Sequence, residues 1–182
     1  MVWNVPNGLT LARILLIPLF LFFLYSEHPL FGILALAIFA IAAATDAVDG
    51  YLARSRAQTT PFGKFMDPIA DKILVMAALV SFVELGELPG VPVIAILARE
   101  FLVTGLRILA VGQGVEIPAS PLGKIKTMSH VALVLVILIG RHFGLGANGP
   151  GLKMGFLYLA VLLAFISGGE YFWRARAVFT ER

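Results

Sequence analysis

The sequence predicts an all-α integral membrane bundle of six transmembrane helices, and three observations carry that expectation. Of the 182 residues, 59% are hydrophobic and only 14% charged, with a mean hydropathy of +0.93. A soluble domain holds about 45–50% apolar and about 25% charged residues. The apolar residues also fall into six long runs between polar, turn-forming segments, and a span needs about 20 such residues. Finally, the runs do not alternate as the strands of a membrane barrel would. This composition excludes a water-soluble globule, a disordered chain and a nucleic-acid binder, each of which needs more charge. With no cysteine, disulfides, thiolate metal sites and cysteine nucleophiles drop out as well. One domain, 1–182, is expected, with no room for a separate soluble unit.

Residues 1–6 read as a short interfacial segment with Trp3 at headgroup level. The first run, 8–25, lacks a small-residue cleavage site and is followed by more spans, so it reads as a retained helix. Ser26-Glu27-His28-Pro29 supplies a turn before the second run, 31–54. That run is dense in small residues (Gly32, Ala35, Ala37, Ala40, Ala42, Ala43, Ala44), which suits close helix packing in lipid. The third run, 66–85, ends at the turn Gly86-Glu87-Leu88-Pro89-Gly90. The fourth and fifth cover 91–112 and 123–140, and a linker at 144–151 with Asn148-Gly149-Pro150 leads to the sixth, 152–172.

Six spans place Arg13, Arg54, Arg56, Lys64, Lys72, Arg107, Lys124, Lys126, Arg174, Arg176 and Arg182 on one side. Only Arg141 and Lys153 fall on the other, while Arg99 lies inside a span. Basic residues concentrate on the cytoplasmic side, so both termini are expected there. The closing Arg174-x-Arg176 with Tyr171 and Trp173 reads as an interface anchor.

All four aspartates, Asp46, Asp49, Asp67 and Asp71, fall within 26 residues. The first pair is spaced i,i+3 near the end of the second run and the second pair i,i+4 near the start of the third. Each pair therefore shares a helix face. Clustered carboxylates cannot all stay ionised without cations. An all-oxygen set with no Cys and no local His favours Mg²⁺ or Mn²⁺, and four shared carboxylates fit a two-metal site that clamps a phosphoryl group. The plain alternative is a set of solvated charges at helix ends, with Asp67 accepting the first helical N–H bonds ahead of Pro68. The neighbours argue for the site. Gly50 permits close backbone approach to a ligand, Ala53 keeps that face small, Arg54 offers a fork for phosphate, and Gly63 leaves room before the second pair.

Together these residues spell Asp46-x2-Asp49-Gly50-x2-Ala53-Arg54-x8-Gly63-x3-Asp67-x3-Asp71. Eight fixed positions at roughly one in twenty each make a chance match negligible. The segment resembles the complete signature of the CDP-alcohol phosphotransferase family. That resemblance implies a membrane enzyme that moves a phosphatidyl-type group from a CDP-linked donor to an alcohol and releases CMP, using two divalent cations (Mg²⁺ or Mn²⁺) at the cytoplasmic membrane boundary. It implies Asp46, Asp49, Asp67 and Asp71 as metal ligands, with Asp71 also the general base. It implies Gly50, Ala53, Arg54, Thr60 and Gly63 at the CDP site. A homodimer in a bacterial plasma membrane, with the active site facing the cytoplasm, is the expectation carried over from the family and the absence of targeting extensions.

The acceptor is read from blocks outside the signature: Asn4-Val-Pro6-Asn7-x-Leu9-Thr10-x2-Arg13, Ala98-Arg99-Glu100-Phe101-x2-Thr104-Gly105-Leu106-Arg107, Leu122-Gly123-Lys124-Ile125-Lys126-Thr127 and Ser167-Gly168-x-Glu170-Tyr171. Their order resembles the branch of the family that takes glycerol 3-phosphate as acceptor and CDP-diacylglycerol as donor, on the route to phosphatidylglycerol. Glu100, Thr104 and Arg107 share a helix face at i, i+4 and i+7, and Arg107, Lys124 and Lys126 sit at the cytoplasmic ends of spans four and five. Such donors suit a phosphorylated acceptor. Arg107, Lys124, Lys126, Thr104 and Arg99 are therefore the expected acceptor-phosphate residues. Lys124 and Lys126 also read as positive-inside flanks, and Arg99 as packing. Glu100 is expected to orient its neighbours, since an intramembrane charge is paired or functional. Arg13 and Thr10 read either as pocket residues or, for Arg13, as a side chain snorkelling to headgroups. His130 reads as packing, His28 and His142 as external loop residues, and Glu170 as a partner for nearby basic groups. The competing functions are the same family with inositol phosphate, phosphatidylglycerol or serine as acceptor, and, from another class, a cation transporter using the Asp cluster as its ion path.

Overall fold

A computed structural model describes residues 5–56, 61–113, 115, 117–118 and 120–176. Side chains are described from residue 11 onward, except at 29, 46–56, 61–71 and 147. Six α-helices account for nearly all of it: α1 (Val5–Tyr25), α2 (Pro29–Arg56), α3 (Pro61–Glu84), α4 (Gly90–Gly112), α5 (Pro121–Phe143) and α6 (Gly149–Arg174). A 3-10 turn, Gly146–Asn148, precedes α6. Each expected run is one helix, and no strand occurs among the described residues. The expected interfacial segment at 1–6 lies outside the described residues up to position 4, and Val5 already begins α1.

The helix ends follow local chemistry. Gly86 (φ 71°) and Gly144 (φ 73°) take the left-handed backbone that closes α3 and α5. Ser120 caps α5 by accepting the Gly123 N–H at 3.0 Å, with Pro121 in the first turn. The largest departure from the expected bounds is α3, which begins at Pro61 instead of near 66. A proline at a helix start loses no bond, because the first N–H groups have no partner there. Asp67 therefore lies inside the helix, which overturns its alternative role as a helix-start acceptor. In the sequence the long apolar run of α2 leads up to Asp46, and the helix continues to Arg56.

α1 lies against α2 and α3, α5 against α6 and α2, and α4 against α6 with a lighter contact to α3. Phe20, Phe39, Leu79, Phe82, Ile96, Leu133, Ile137 and Leu157 fill the centre, fully buried. The Phe20 and Phe39 rings pack 5.8 Å apart. Ala35, Ala78, Ala160 and Ala164 are also fully buried and let the backbones approach. The outer surface is inverted relative to a soluble protein. Leu15, Phe22, Ile41, Val91, Ile94 and Phe101 point outward, while Arg13, Arg99, Glu100, Lys126 and His130 are buried. Among the described residues, α5 and α6 are long and apolar enough to cross a membrane.

Candidate active site

The aspartate signature sits on two neighbouring helices. Asp46, Asp49, Gly50, Ala53 and Arg54 belong to α2, and Gly63, Asp67 and Asp71 to α3. Both pairs lie about one helical turn apart along their axes. Their side chains, and Thr60 entirely, lie outside the described residues. Among the described residues no group of three or more His, Asp or Glu forms a metal site. Four carboxylates in two one-turn pairs on adjacent helices are a donor set that fits hard divalent cations.

Beside this signature the structure describes a buried ionic cluster centred on α4. A charge inside an apolar helix is tolerated only when it is paired and hydrogen-bonded. The Glu100 side chain is 6% exposed, and its Oε1 accepts from Arg99 Nη1 at 2.8 Å and from Lys126 Nζ of α5. Its Oε2 faces Lys72 Nζ of α3 at 3.9 Å. Lys72 also donates to Thr104 Oγ1, which in turn donates to the Glu100 carbonyl at 2.7 Å, one turn back along α4. Lys72 directly follows Asp71 in the chain, so one residue joins the signature helix to the α4–α5 basic cluster.

Arg99 faces the other way. Its Nε donates to the Ala164 carbonyl and its Nη2 to Ser167 Oγ, both at 2.9 Å on α6. The Ser167 hydroxyl in turn donates to the Leu163 carbonyl at 2.7 Å. The guanidinium lies 5.9 Å from the Tyr171 ring centre. Gly168 makes this possible: a Cβ there would stand 3.3 Å from Arg99 Cγ and Nε. All three guanidinium nitrogens are thus committed to protein partners. His130 is buried on α5, one turn past Lys126, and its Nε2 has no hydrogen-bond partner among the described residues.

The structure therefore brings together Arg99, Thr104 and Lys126 from the expected acceptor-phosphate set. Arg107, near the end of α4, and Lys124, in the first turn of α5, are exposed and stand apart from these hydrogen bonds. Two participants were missed in sequence. Lys72 counted only as a positive flank, and Ser167 only as part of a terminal block; the adjacency of Lys72 to Asp71 was the available signal. Arg13 is buried within the bundle, so it does not snorkel to headgroups. Tyr171 is no interface anchor: it is buried, and its hydroxyl accepts the Ser120 N–H at 3.0 Å. A buried phenol needs such a partner, and a Cβ at Gly123 would stand 3.1 Å from that oxygen. Trp173 is exposed as expected, with the Arg176 guanidinium 4.5 Å from its ring centre. Glu170 pairs with Arg174 at 2.6 Å.

Paired aspartates on adjacent helices, next in the chain to a lysine that reaches buried ionic side chains, are the setting in which comparison with known proteins places this helical bundle among phosphatidyl-transferring enzymes. The chain belongs to the CDP-alcohol phosphatidyltransferase family, whose model matches residues 3–166. It is 39% identical over 188 residues to the CDP-diacylglycerol--glycerol-3-phosphate 3-phosphatidyltransferase of Bacillus subtilis, covering 95% of this chain and 97% of that protein. It is 37% identical to the protein of the same name from Rickettsia bellii, with 97% of each chain covered. A probable phosphatidylglycerophosphate synthase of Mycobacterium tuberculosis is 42% identical over 177 residues, covering 94% of this chain and 81% of that one. Family membership sets the ion-path reading of the aspartates aside.

Proposed function

We propose that this chain transfers the phosphatidyl group of CDP-diacylglycerol to the free hydroxyl of sn-glycerol 3-phosphate, giving phosphatidylglycerophosphate and CMP. The names of the relatives support the donor and the acceptor. The observation that carries the reading for this chain is Lys72, which follows the last signature aspartate and reaches Thr104 and Glu100. Through it, a basic region suited to the acceptor's phosphate adjoins the carboxylates suited to the donor's pyrophosphate.

In this mechanism the acceptor hydroxyl oxygen attacks the phosphatidyl phosphorus. The bond from that phosphorus to the bridging oxygen breaks, and CMP departs with the electron pair. Asp71 takes the hydroxyl proton as general base. Gly50, Ala53, Arg54, Thr60 and Gly63 hold the CDP moiety. Arg107, Lys124 and Lys126 hold the acceptor's phosphate, while Thr104, whose hydroxyl is engaged by Lys72 and the Glu100 carbonyl, and Arg99, from behind through α6, shape that region. Two Mg²⁺ or Mn²⁺ ions, held by Asp46, Asp49, Asp67 and Asp71, would supply charge neutralisation at the pyrophosphate and the leaving CMP. No enzyme nucleophile is required.

The same reading makes 1–182 a single membrane domain with six spans, both termini and the active site on the cytoplasmic side of a bacterial plasma membrane. Outward-facing apolar side chains around buried charges support it, as does the position of Asp46 at the end of a long apolar run in the sequence. A homodimer is carried from the family resemblance, and chemical cross-linking in native membranes tests it. CMP release by purified protein in detergent, across a panel of acceptors, tests the function. Release with glycerol 3-phosphate alone is expected. Release with inositol phosphate, phosphatidylglycerol or serine instead would keep the family chemistry and overturn the acceptor.

A further inference from the structure

The ionic cluster holds more positive than negative charge. Arg99, Lys72 and Lys126 share the single carboxylate of Glu100. Arg99 divides its nitrogens between Glu100 and α6, so it braces the carboxylate from one side. The two lysines come from α3 and α5 and meet at α4 only through Glu100 and its neighbour Thr104. Their side chains differ in access: Lys126 is 7% exposed and Lys72 31%. An ammonium carries three donors. Among the described residues Lys126 uses one of them, on Glu100, and Lys72 bonds Thr104. Both therefore keep N–H groups for a further oxygen ligand. This excess of positive charge among the described residues suits a phosphate dianion.

We infer that Glu100 is a positioning residue for the acceptor: it fixes the Lys72 and Lys126 ammonium groups, from separate helices, at the spacing that receives the phosphate of glycerol 3-phosphate. This deepens the proposed function and rests on it. A lysine is a point charge on a flexible stem, so charge alone does not define where it binds. Glu100 supplies the missing geometry, because its two oxygens face the two lysines and Arg99 fixes its orientation.

The chemistry yields an opposed pair of expectations for Glu100→Gln. Were Glu100 only a damper of positive charge, its neutralisation would strengthen anion binding and lower the KM for glycerol 3-phosphate. As a positioning residue, its loss frees both lysines and raises that KM. The test measures CMP release by the purified protein with Mn²⁺ while each substrate is varied in turn. Glu100→Gln is expected to raise the KM for glycerol 3-phosphate roughly ten- to hundred-fold. The KM for CDP-diacylglycerol is expected to stay within about two-fold. Glu100→Asp, which keeps the charge on a shorter stem, should recover part of the loss.

Thr104→Val removes the second hold on Lys72 without touching a buried charge. It is expected to shift the same KM in the same direction by a smaller factor, and it decides the matter if Glu100→Gln does not fold. An unchanged or lowered KM for glycerol 3-phosphate, or an equal rise for both substrates, would overturn the positioning role. A wild-type protein that ignores glycerol 3-phosphate but uses another acceptor would instead overturn the reading beneath it, so the two failures are distinct.

Discussion

Two carboxylates, Glu87 and Glu100, each collect basic side chains from different helices, one in a turn at a helix end and the other midway along a helix. Glu87 lies in the turn between α3 and α4, where it accepts from Arg141 at the end of α5 at 3.1 Å and from Lys153 near the start of α6. All three are partly exposed, so water and salt screen them. Glu100 lies within α4, buried, with cations from three helices and hydrogen bonds that continue into α6. The first arrangement ties ends together and is nearly balanced by solvent. In the second, desolvation makes every charge costly, so each must have a partner or a task. Similar ion pairs thus mean different things according to burial and to what adjoins them: a loop in one case, the Asp71 helix in the other.

The comparison breaks most sharply at the aspartate next to the buried cluster. Asp71→Asn is expected to lower kcat by about 10²–10⁴ while metal-dependent CDP binding largely persists, because it removes the base and leaves the other three aspartates and the nucleotide contacts in place. Calorimetric titration with CDP alongside turnover measures both, and near-wild-type turnover would refute the base assignment. Lys126→Ala should raise the KM for glycerol 3-phosphate by roughly ten-fold or more, with a smaller change for the lipid donor. Comparable rises for both would place Lys126 outside the acceptor region.

Ser167→Ala probes the brace behind the cluster. It deprives a buried guanidinium of one acceptor, and a loss of about 1–3 kcal/mol in stability is expected, read as a lowered thermal midpoint in detergent. Glu87→Gln sets the lower bound. Its partly exposed pairs contribute at most about 1 kcal/mol, and neither KM should move. A KM effect at Glu87 as large as that at Lys126 would erase the distinction between the two carboxylates.

Much of this was legible in sequence, for physical reasons. The six helices show as apolar runs because outward-facing and core-facing positions are both apolar, and the turns show as Gly and Pro. The third apolar run starts only at 66 because Gly63 and Lys64 interrupt it, although a helix can extend beyond its apolar stretch and α3 begins at Pro61. The aspartate signature is readable because its spacing is local to two helices. Glu100 announces itself as a charge in an apolar run. What it binds does not, because Lys126 is 26 residues away, and the Arg99 brace reaches 68 residues to Ser167. No local pattern records such pairings. Tyr171 shows the same limit: its aromatic ring near a basic terminus resembles an anchor, while its hydroxyl reaches Ser120 across 51 residues.

The most direct measurement is the identity and stoichiometry of the products when purified protein meets CDP-diacylglycerol and glycerol 3-phosphate, followed by mass spectrometry with and without a chelator. Equimolar phosphatidylglycerophosphate and CMP are expected, both lost on chelation and both restored by Mg²⁺ or Mn²⁺. CMP without phosphatidylglycerophosphate, or product formation indifferent to the chelator, would contradict a metal-assisted transfer to glycerol 3-phosphate.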